Sequence, residues 1–422
     1  MQQADANTPS MDWRHGIWNA SHSPVADAEI MIAGDWAPIR NFSDIMLETP
    51  EAIYGNLLPV LSDCDLRLVN LECPLVDEGI PVTKSGAVLK GVSGHVSALT
   101  RVPFEIVTLG NNHVFDYGVD GFVRTRSLLE HHGIQSTGAG MTVGEAGTPV
   151  MITVKGVTIA VISFAEGEDL TAAAGSTPGV LGWEIQRVTD LIRKIRTQAH
   201  VVVVVCHGGV EYIPYPPPYL AQALQRIAEG GADLIIGHHP HVPQGIQIHN
   251  NVPICYSLGN FVFFQPTHLL YRKIGYLVKA GVSTAGLSTI RLIPYEILSD
   301  RLSMLSGQRL AKALDKLAAL SKPFLGKDGI QHAWHGFLKY YGVRGFKTEI
   351  IGILDRLDRD ASKGAAMFRN RLTTLQHSHH LVDLMTRIMN RTLDDAPEWA
   401  VAAVAEYFSR NVADGLPEQP WT

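Results

Sequence analysis

A chain of 422 residues exceeds the size at which a single hydrophobic core stops growing, so it is expected to form two domains or one large domain with an appendage. With 46% hydrophobic and 18% charged residues it is far from the composition of disordered chains, and a formal net charge of −6 argues against gripping a nucleic acid backbone. The four cysteines, Cys64, Cys73, Cys206 and Cys255, lack C-x-x-C spacing and read as reduced, structural residues, which speaks against a zinc ribbon or a disulfide scaffold.

Residues 1–27 read as an N-terminal extension. They have no basic segment followed by an apolar one, and no run in the chain reaches the length of a membrane span, so the chain as given reads as cytoplasmic. From 28 to 297, short β-branched runs alternate with amphipathic segments of helix length, the pattern of a layered α/β domain. Strands are expected at IMIAG (30–34), LRLVNL (66–71), EIVTL (105–109), VTIAVIS (157–163), VVVVVC (201–206), ADLIIG (232–237) and PICYSL (253–258). Helices are expected near 50–62, 120–132, 184–197 and 218–230, the last opening from a proline-rich loop. From 298 to 422 the chain turns to Leu, Ala, Lys and Arg at helical spacing, with turn signals at Lys322–Pro323 and Gly342–Gly345. This region is expected to be a helical layer that packs on the α/β domain without supplying metal ligands.

Five of the expected strands run out into residues that carry chemistry, which is where open α/β sheets build their sites. IMIAGDW places Asp35 after a strand, as a turn or cap residue or as a ligand. LVNLECPL puts Asn70 and Glu72 on one face of a strand, in an ion pair or a site. VTLGNNHVFDYG packs Asn112, His113 and Asp116 into a segment that is poor helix or strand material. VVVVVCHGGVEY ends on His207, with Glu211 and Tyr212 just beyond, and this histidine fits a core or a site equally. LIIGHHPHVPQG crowds His238, His239 and His241 around Pro240, and metal ligation is the natural account of three imidazoles that each need a partner. Together these ends offer the mixed nitrogen and oxygen donors that one or two divalent ions (Mn, Zn or Fe) take.

The ordered motifs G-D, N-L-E-x-P-L, N-N-H-x-x-D-Y-G, H-x-G-x-E-Y, G-H-H-P-H-V-x-Q-G and Y-S-L-G-N-F-V-F resemble the CapA-type family of capsule and poly-γ-glutamate synthesis, over about residues 28–265. That family is similar to a divergent branch of the calcineurin-like metallophosphoesterases, which implies a two-sheet sandwich flanked by helices with metal at the strand ends. By this resemblance Asp35 and His241 would hold a first ion, Glu72 would bridge, and Asn112, His207 and His239 would hold a second. His113 would be the leaving-group acid, oriented by Asp116. The wider phosphoesterases carry Asp-x-His in the first motif, where this chain has Ala37, so the first ion loses an imidazole that Glu211 or water would have to replace. The implied activity is metal-assisted hydrolysis of an anionic small molecule or polymer, with Lys84, Lys90, Glu211, Tyr212 and His238 as substrate contacts. The competing expectation is a metal-stabilised binding or scaffold subunit, either a homo-oligomer or part of a polymer-synthesis complex.

Overall fold

The computed structural model describes residues 11–21 and 25–415. In chain order the strands are β1 (Ile17–Asn19), β2 (Ala28–Trp36), β3 (Leu66–Leu71), β4 (Ile106–Thr108), β5 (Gln135–Thr137), β6 (Ala139–Gly140), β7 (Val150–Val154), β8 (Val157–Ala165), β9 (Gly179–Val180), β10 (Val201–His207), β11 (Leu234–His238), β12 (Ile246–His249), β13 (Val252–Cys255), β14 (Ile274–Ser283), β15 (Gly286–Ile297) and β16 (Leu302–Met304). The helices are α1 (Asn41–Glu48), α2 (Leu58–Ser62), α3 (Val96–Arg101), α4 (Gly118–His131), α5 (Val143–Ala146), α6 (Ile185–Ile195), α7 (Pro218–Glu229), α8 (Gly307–Ser321), α9 (Gly329–Arg359), α10 (Ala361–Thr373), α11 (Leu375–Met389), α12 (Glu398–Ser409) and α13 (Val412–Gly415).

One sheet has eight strands, in the order β1-β15-β14-β2-β3-β4-β5 with β16 also on β15; a second has six, in the order β12-β13-β11-β10-β8-β7; and β6 and β9 form a two-stranded pair. Strands β2 to β5 are parallel, as are β8, β10, β11 and β13. The central parallel strands are apolar on both faces because each is covered twice. In β10, Val201, Val203 and Val205 meet Ile30, Ile32 and Leu68 of the facing sheet. Val202 and Val204 turn the other way, onto Val188 and Ile192 of α6 and Leu224 and Ile227 of α7. The outer face of the larger sheet presents Met31, Val69 and Val107 to Phe42, Leu61, Leu99 and Phe122 of α1 to α4. The order of layers is therefore helix, sheet, sheet, helix. Each fully buried Val or Leu contributes about 1.5–3 kcal/mol to this arrangement.

All seven expected strands form, most within two residues of their expected bounds. The hairpin of β14 and β15 was not anticipated, although it joins the antiparallel half of the larger sheet to β2. The expected helix at 50–62 is instead a 3-10 segment, Ala52–Leu57, broken at Gly55 (φ 50) and followed by α2. Residues 11–21 are no loose extension: β1 pairs with β15 and Trp18 is buried. The expected boundary at 297/298 falls within the sheet, because β16 still pairs with β15. Beyond it the chain is helical, as expected, with α9 broken at Gly342 (φ 52). This layer has a small core of its own, in which Trp334, Phe337, Leu338, Leu384 and Val404 gather around Ile213.

Candidate metal centre

The parallel strands of both sheets deliver their last residues to one buried cluster, and two glycines permit the close approach. A Cβ at Gly34 would lie 2.3 Å from the Gly259 carbonyl oxygen, and one at Gly237 would lie 2.0 Å from that of Tyr256. The first contact seats Asn260 beside Asp35. A register shift between Ile32 and Asp35 re-aims the end of β2, as bulges near sites commonly do. Past the strand ends, Tyr212 (φ 65), His239 (φ 97) and His241 (φ 56) hold left-handed backbone without being glycine. Such residues cost about 1–3 kcal/mol each and persist where the surroundings over-determine them.

Two triads share Glu72. Glu72, His207 and His239 bring ligand atoms within 4.8 Å of one another, and so do Asp35, Glu72 and His241. His207 Nε2 is 3.3 Å from Glu72 Oε1 and 3.0 Å from Asn112 Oδ1. His241 Nε2 is 3.7 Å from the same Glu72 oxygen, while its Nδ1 is 2.8 Å from Asn260 Oδ1. Asn70 Nδ2 donates to Asp35 Oδ1 at 2.8 Å. Beside the triads, His113 Nδ1 is 2.7 Å from Asp116 Oδ2. Lys84 Nζ donates to Asp116 Oδ1 at 2.8 Å and to the Asn112 carbonyl at 2.7 Å.

Burial and neighbouring charge set the protonation of these groups. Burial would raise Asp35, but the charges of His238, His207 and His241 outweigh it and hold the carboxyl well below its ordinary range. Glu72 goes the other way: burial, then the charges of Asp35 and Glu211, push it well above the usual carboxylate value. Burial also lowers His207 and His241. His239 is raised, because Glu168, Glu211 and Glu166 overcome the effect of burial. His113 is lowered by burial and by Lys84.

Both oxygens of Glu72 and the Nδ1 of His239 are buried without a hydrogen-bond partner. An orphaned buried carboxylate is costly, and a divalent cation at each triad would satisfy these atoms at once. Carboxylate oxygens, imidazole nitrogens and the Asn112 amide oxygen suit first-row divalent ions. The residues fit the group.

Residues 29–265 match the family described as bacterial capsule synthesis protein PGA_cap, more than half of the chain. The chain belongs to that family. It is 37% identical over 219 residues to the PGA biosynthesis protein CapA of Bacillus subtilis (strain 168), covering 51% of this chain and 57% of that one. It is 29% identical over 272 residues to the capsule biosynthesis protein CapA of Bacillus anthracis, covering 63% and 64%. The chain thus spans about three-fifths of the length of these relatives. Among solved structures, NAD nucleotidase (NadN) of Haemophilus influenzae shares 18% identity at a TM-score of 0.40, covering 69% of this chain and 56% of that one.

Within the PGA_cap match, the structure brings together Asp35, Glu72, Asn112, His207, His239 and His241, with His113 and Asp116 alongside. Three expected substrate contacts are corrected. Lys84 is 3% exposed and engaged by Asp116 and Asn112, so it braces the site instead of awaiting an anion. Lys90 bonds to the Asp77 carbonyl and lies over the Tyr117 ring. His238 is fully buried, its Nδ1 3.2 Å from Asp35 Oδ1, beneath the cluster. Tyr212 stacks on His241 with ring centroids 5.9 Å apart. Glu211 belongs to neither triad, although its charge acts on Glu72, His239 and His241. Buried Ala37 offers no ligand in place of the missing imidazole.

Besides Asn260, which lies in the Y-S-L-G-N-F-V-F motif but was assigned no role, four residues at the site were not anticipated. Glu166 and Glu168 follow β8, a strand end marked in FAEGED by three carboxylates that could have been counted with the other five. Asn112 Nδ2 donates to Glu168 Oε2 at 2.7 Å, and Gly209 N–H donates to Glu166 Oε1 at 2.9 Å. Asn370 and Gln376 come from the helical layer, outside the PGA_cap match, and no signal in the sequence separates them from other polar helix residues. Both triads are drawn from the α/β domain, and Gln376 Oε1 of the helical layer lies 3.1 Å from His239 Nε2.

Proposed function

We propose that the chain is a metal-dependent hydrolase of phosphoesterase type that acts on an anionic intermediate or polymer in capsule, poly-γ-glutamate or related biosynthesis. The observation that carries this reading is the pair of triads sharing the orphaned Glu72 carboxylate, with a buried His113–Asp116 pair at their edge. Asp35 and His241 would hold one ion, His207, His239 and Asn112 the other, and Glu72 would bridge the two. Bound there, the ions would polarise a phosphoryl oxygen and acidify a water. Asp116 accepts from His113 Nδ1, and His113 would act as the leaving-group acid in its imidazolium form, passing the second proton from Nε2 to the leaving oxygen and remaining neutral with Nδ1 still bonded to Asp116. Lys84 fixes Asp116 from the far side. A cavity of about 250 Å³ bounded by Lys84, Asn112, Phe115, Asp116 and Asp169 gives a substrate room next to this pair.

One observation favours a second reading, a metal-stabilised scaffold that holds an anionic chain without cutting it. The space among Asn112, Glu166, Glu168, His207, His239 and Gln376 is only about 10 Å³, barely what a single water needs. One experiment separates the two readings: metal analysis of the purified protein, followed by a phosphoester screen with and without added manganese. Metal-dependent turnover supports the hydrolase. Metal-replete protein that is inert across the panel supports the scaffold.

A further inference from the structure

A ligating imidazole is oriented by whatever its second nitrogen touches, and such partners commonly matter 10–100-fold in metal affinity. In the Asp35 triad that partner is Asn260, which lies inside the family match. In the other triad His207 Nδ1 lies 3.3 Å from Asn70 Nδ2, also inside the match, but the partner of His239 comes from elsewhere. His239 Nε2 is 3.1 Å from Gln376 Oε1, and an amide oxygen there keeps the proton on Nε2, turning the lone pair of Nδ1, the nitrogen with no partner, inward. Gln376 is 3% exposed and sits in the first turn of α11, where its backbone N–H donates to Glu166 Oε2 at 3.3 Å. Glu166 is held in turn by the Tyr219 hydroxyl at 2.6 Å.

A second relay reaches the same ion position. Fully buried Asn370 of α10 donates from Nδ2 to Glu168 Oε1 at 2.9 Å. The other Glu168 oxygen accepts from Asn112 Nδ2 at 2.7 Å, which leaves Asn112 Oδ1 facing His207 Nε2. Lys363 pins α10 to the Lys84 loop by donating to the Lys84 carbonyl at 2.8 Å.

We propose that α10 and α11, which lie outside the family match, complete the second ion position: Gln376 is a positioning residue for His239, and Asn370 one for Asn112 through Glu168. The inference rests on the metal-centre reading but not on hydrolysis. The two ion positions then differ in origin: the first is oriented by the α/β domain alone, and the second by the α/β domain at His207 and by the helical layer at His239.

The test is calorimetric titration of the metal-free full-length chain with manganese, with bound metal counted by mass spectrometry and the melting temperature of each apo protein recorded. Wild type is expected to show two binding steps. Gln376→Met should weaken one step about 10–100-fold and leave the other in place. Gln376→Glu, which keeps an acceptor oxygen, should recover most of the loss. Asn260→Leu should weaken the remaining step instead. Should Gln376→Met fail to fold, Asn370→Ala is expected to weaken the same step through Asn112. The proposal is overturned if Gln376→Met, or Asn370→Ala in its place, titrates like wild type, if both steps weaken equally, or if Gln376→Glu loses as much as Gln376→Met. Wild type that binds both ions yet cleaves no phosphoester retires the hydrolase reading and leaves this proposal to its own titration. Wild type that takes up no ion overturns both.

Discussion

The α/β sandwich and the helical layer meet at the same centre but hold it by different means. In the sandwich the ligands stand at the ends of strands whose side chains are buried on both faces, so their positions are inherited from a large apolar core. The helical layer has a far smaller core and leaves Ile351, Leu354, Phe368 and Leu372 exposed, and it reaches the centre through polar contacts from Gln376 and Asn370. The sandwich places every member of the triads and orients His241 and His207, while the helices orient His239. Packing is insensitive to the direction of a single hydrogen bond, whereas an imidazole's metal-binding nitrogen depends on one, so substitutions in the two regions should fail in different ways.

The largest effect is expected where the sandwich alone decides the outcome. Glu72→Gln removes the carboxylate common to both triads, and metal analysis should find both ions lost and any hydrolysis lost with them. Retention of two ions by this variant would mean that the Glu72 carboxylate does not hold them. Next comes His113→Ala, which touches neither triad. Metal content should be unchanged while turnover falls by roughly two to four powers of ten, the range for positioned proton transfer. An unchanged rate would leave the His113–Asp116 pair with a structural role only.

Stability should separate the regions more gently. Leu224 of α7 is fully buried against β10, and Leu224→Ala should cost roughly 2–5 kcal/mol in denaturant unfolding. Leu354 of α9 is 54% exposed, and Leu354→Ala should stay within about 0.5 kcal/mol. A large loss at Leu354 would show that the exposed face is covered in solution, by a second copy or by another partner.

The same contrast explains what could be read from the amino-acid order. Strands such as β8 and β10 announce themselves because a strand covered on both faces must be apolar throughout, and their ends stand out when a polar cluster follows. Asp35, Glu72, Asn112, His207, His239 and His241 stood out as candidates for that reason, and the family resemblance singled them out as a ligand set. The β14–β15 hairpin was not, because glycines at 275 and 281 and Pro294 interrupt the alternation that marks a half-buried strand. Lys84 was misread because a loop lysine is ordinarily solvated, and only the fold reveals that Asp116 lies within reach. Gln376 and Asn370 were invisible for a deeper reason. Helical periodicity assigns polar residues to the solvent face, and which of them meets another domain depends on how the helix docks.

The smallest effect tests that docking away from the metal. Glu406 of α12 accepts from Lys316 of α8 at 2.7 Å, from Arg410 at 2.7 Å and from the Tyr271 hydroxyl, while the rings of Tyr271 and Tyr407 stack 4.0 Å apart. Burial alone would raise this carboxyl, but these donors prevail and bring it from 4.5 down to about 2. A carboxyl depressed in the folded state contributes stability that is fully present above its unfolded value and lost as the pH falls through its folded value. The contribution of Glu406 should therefore be whole above about pH 4.5 and fade towards about pH 2. Its side chain is 29% exposed, so solvent screening keeps the effect modest. Melting curves of wild type and Glu406→Gln should differ at pH 7 and converge as the pH is lowered towards 3, with the metal centre still loaded in both at pH 7. A gap that stays constant with pH would mean that Glu406 acts by shape and not by charge, leaving the packing of Tyr271 on Tyr407 to hold α12 against the sandwich.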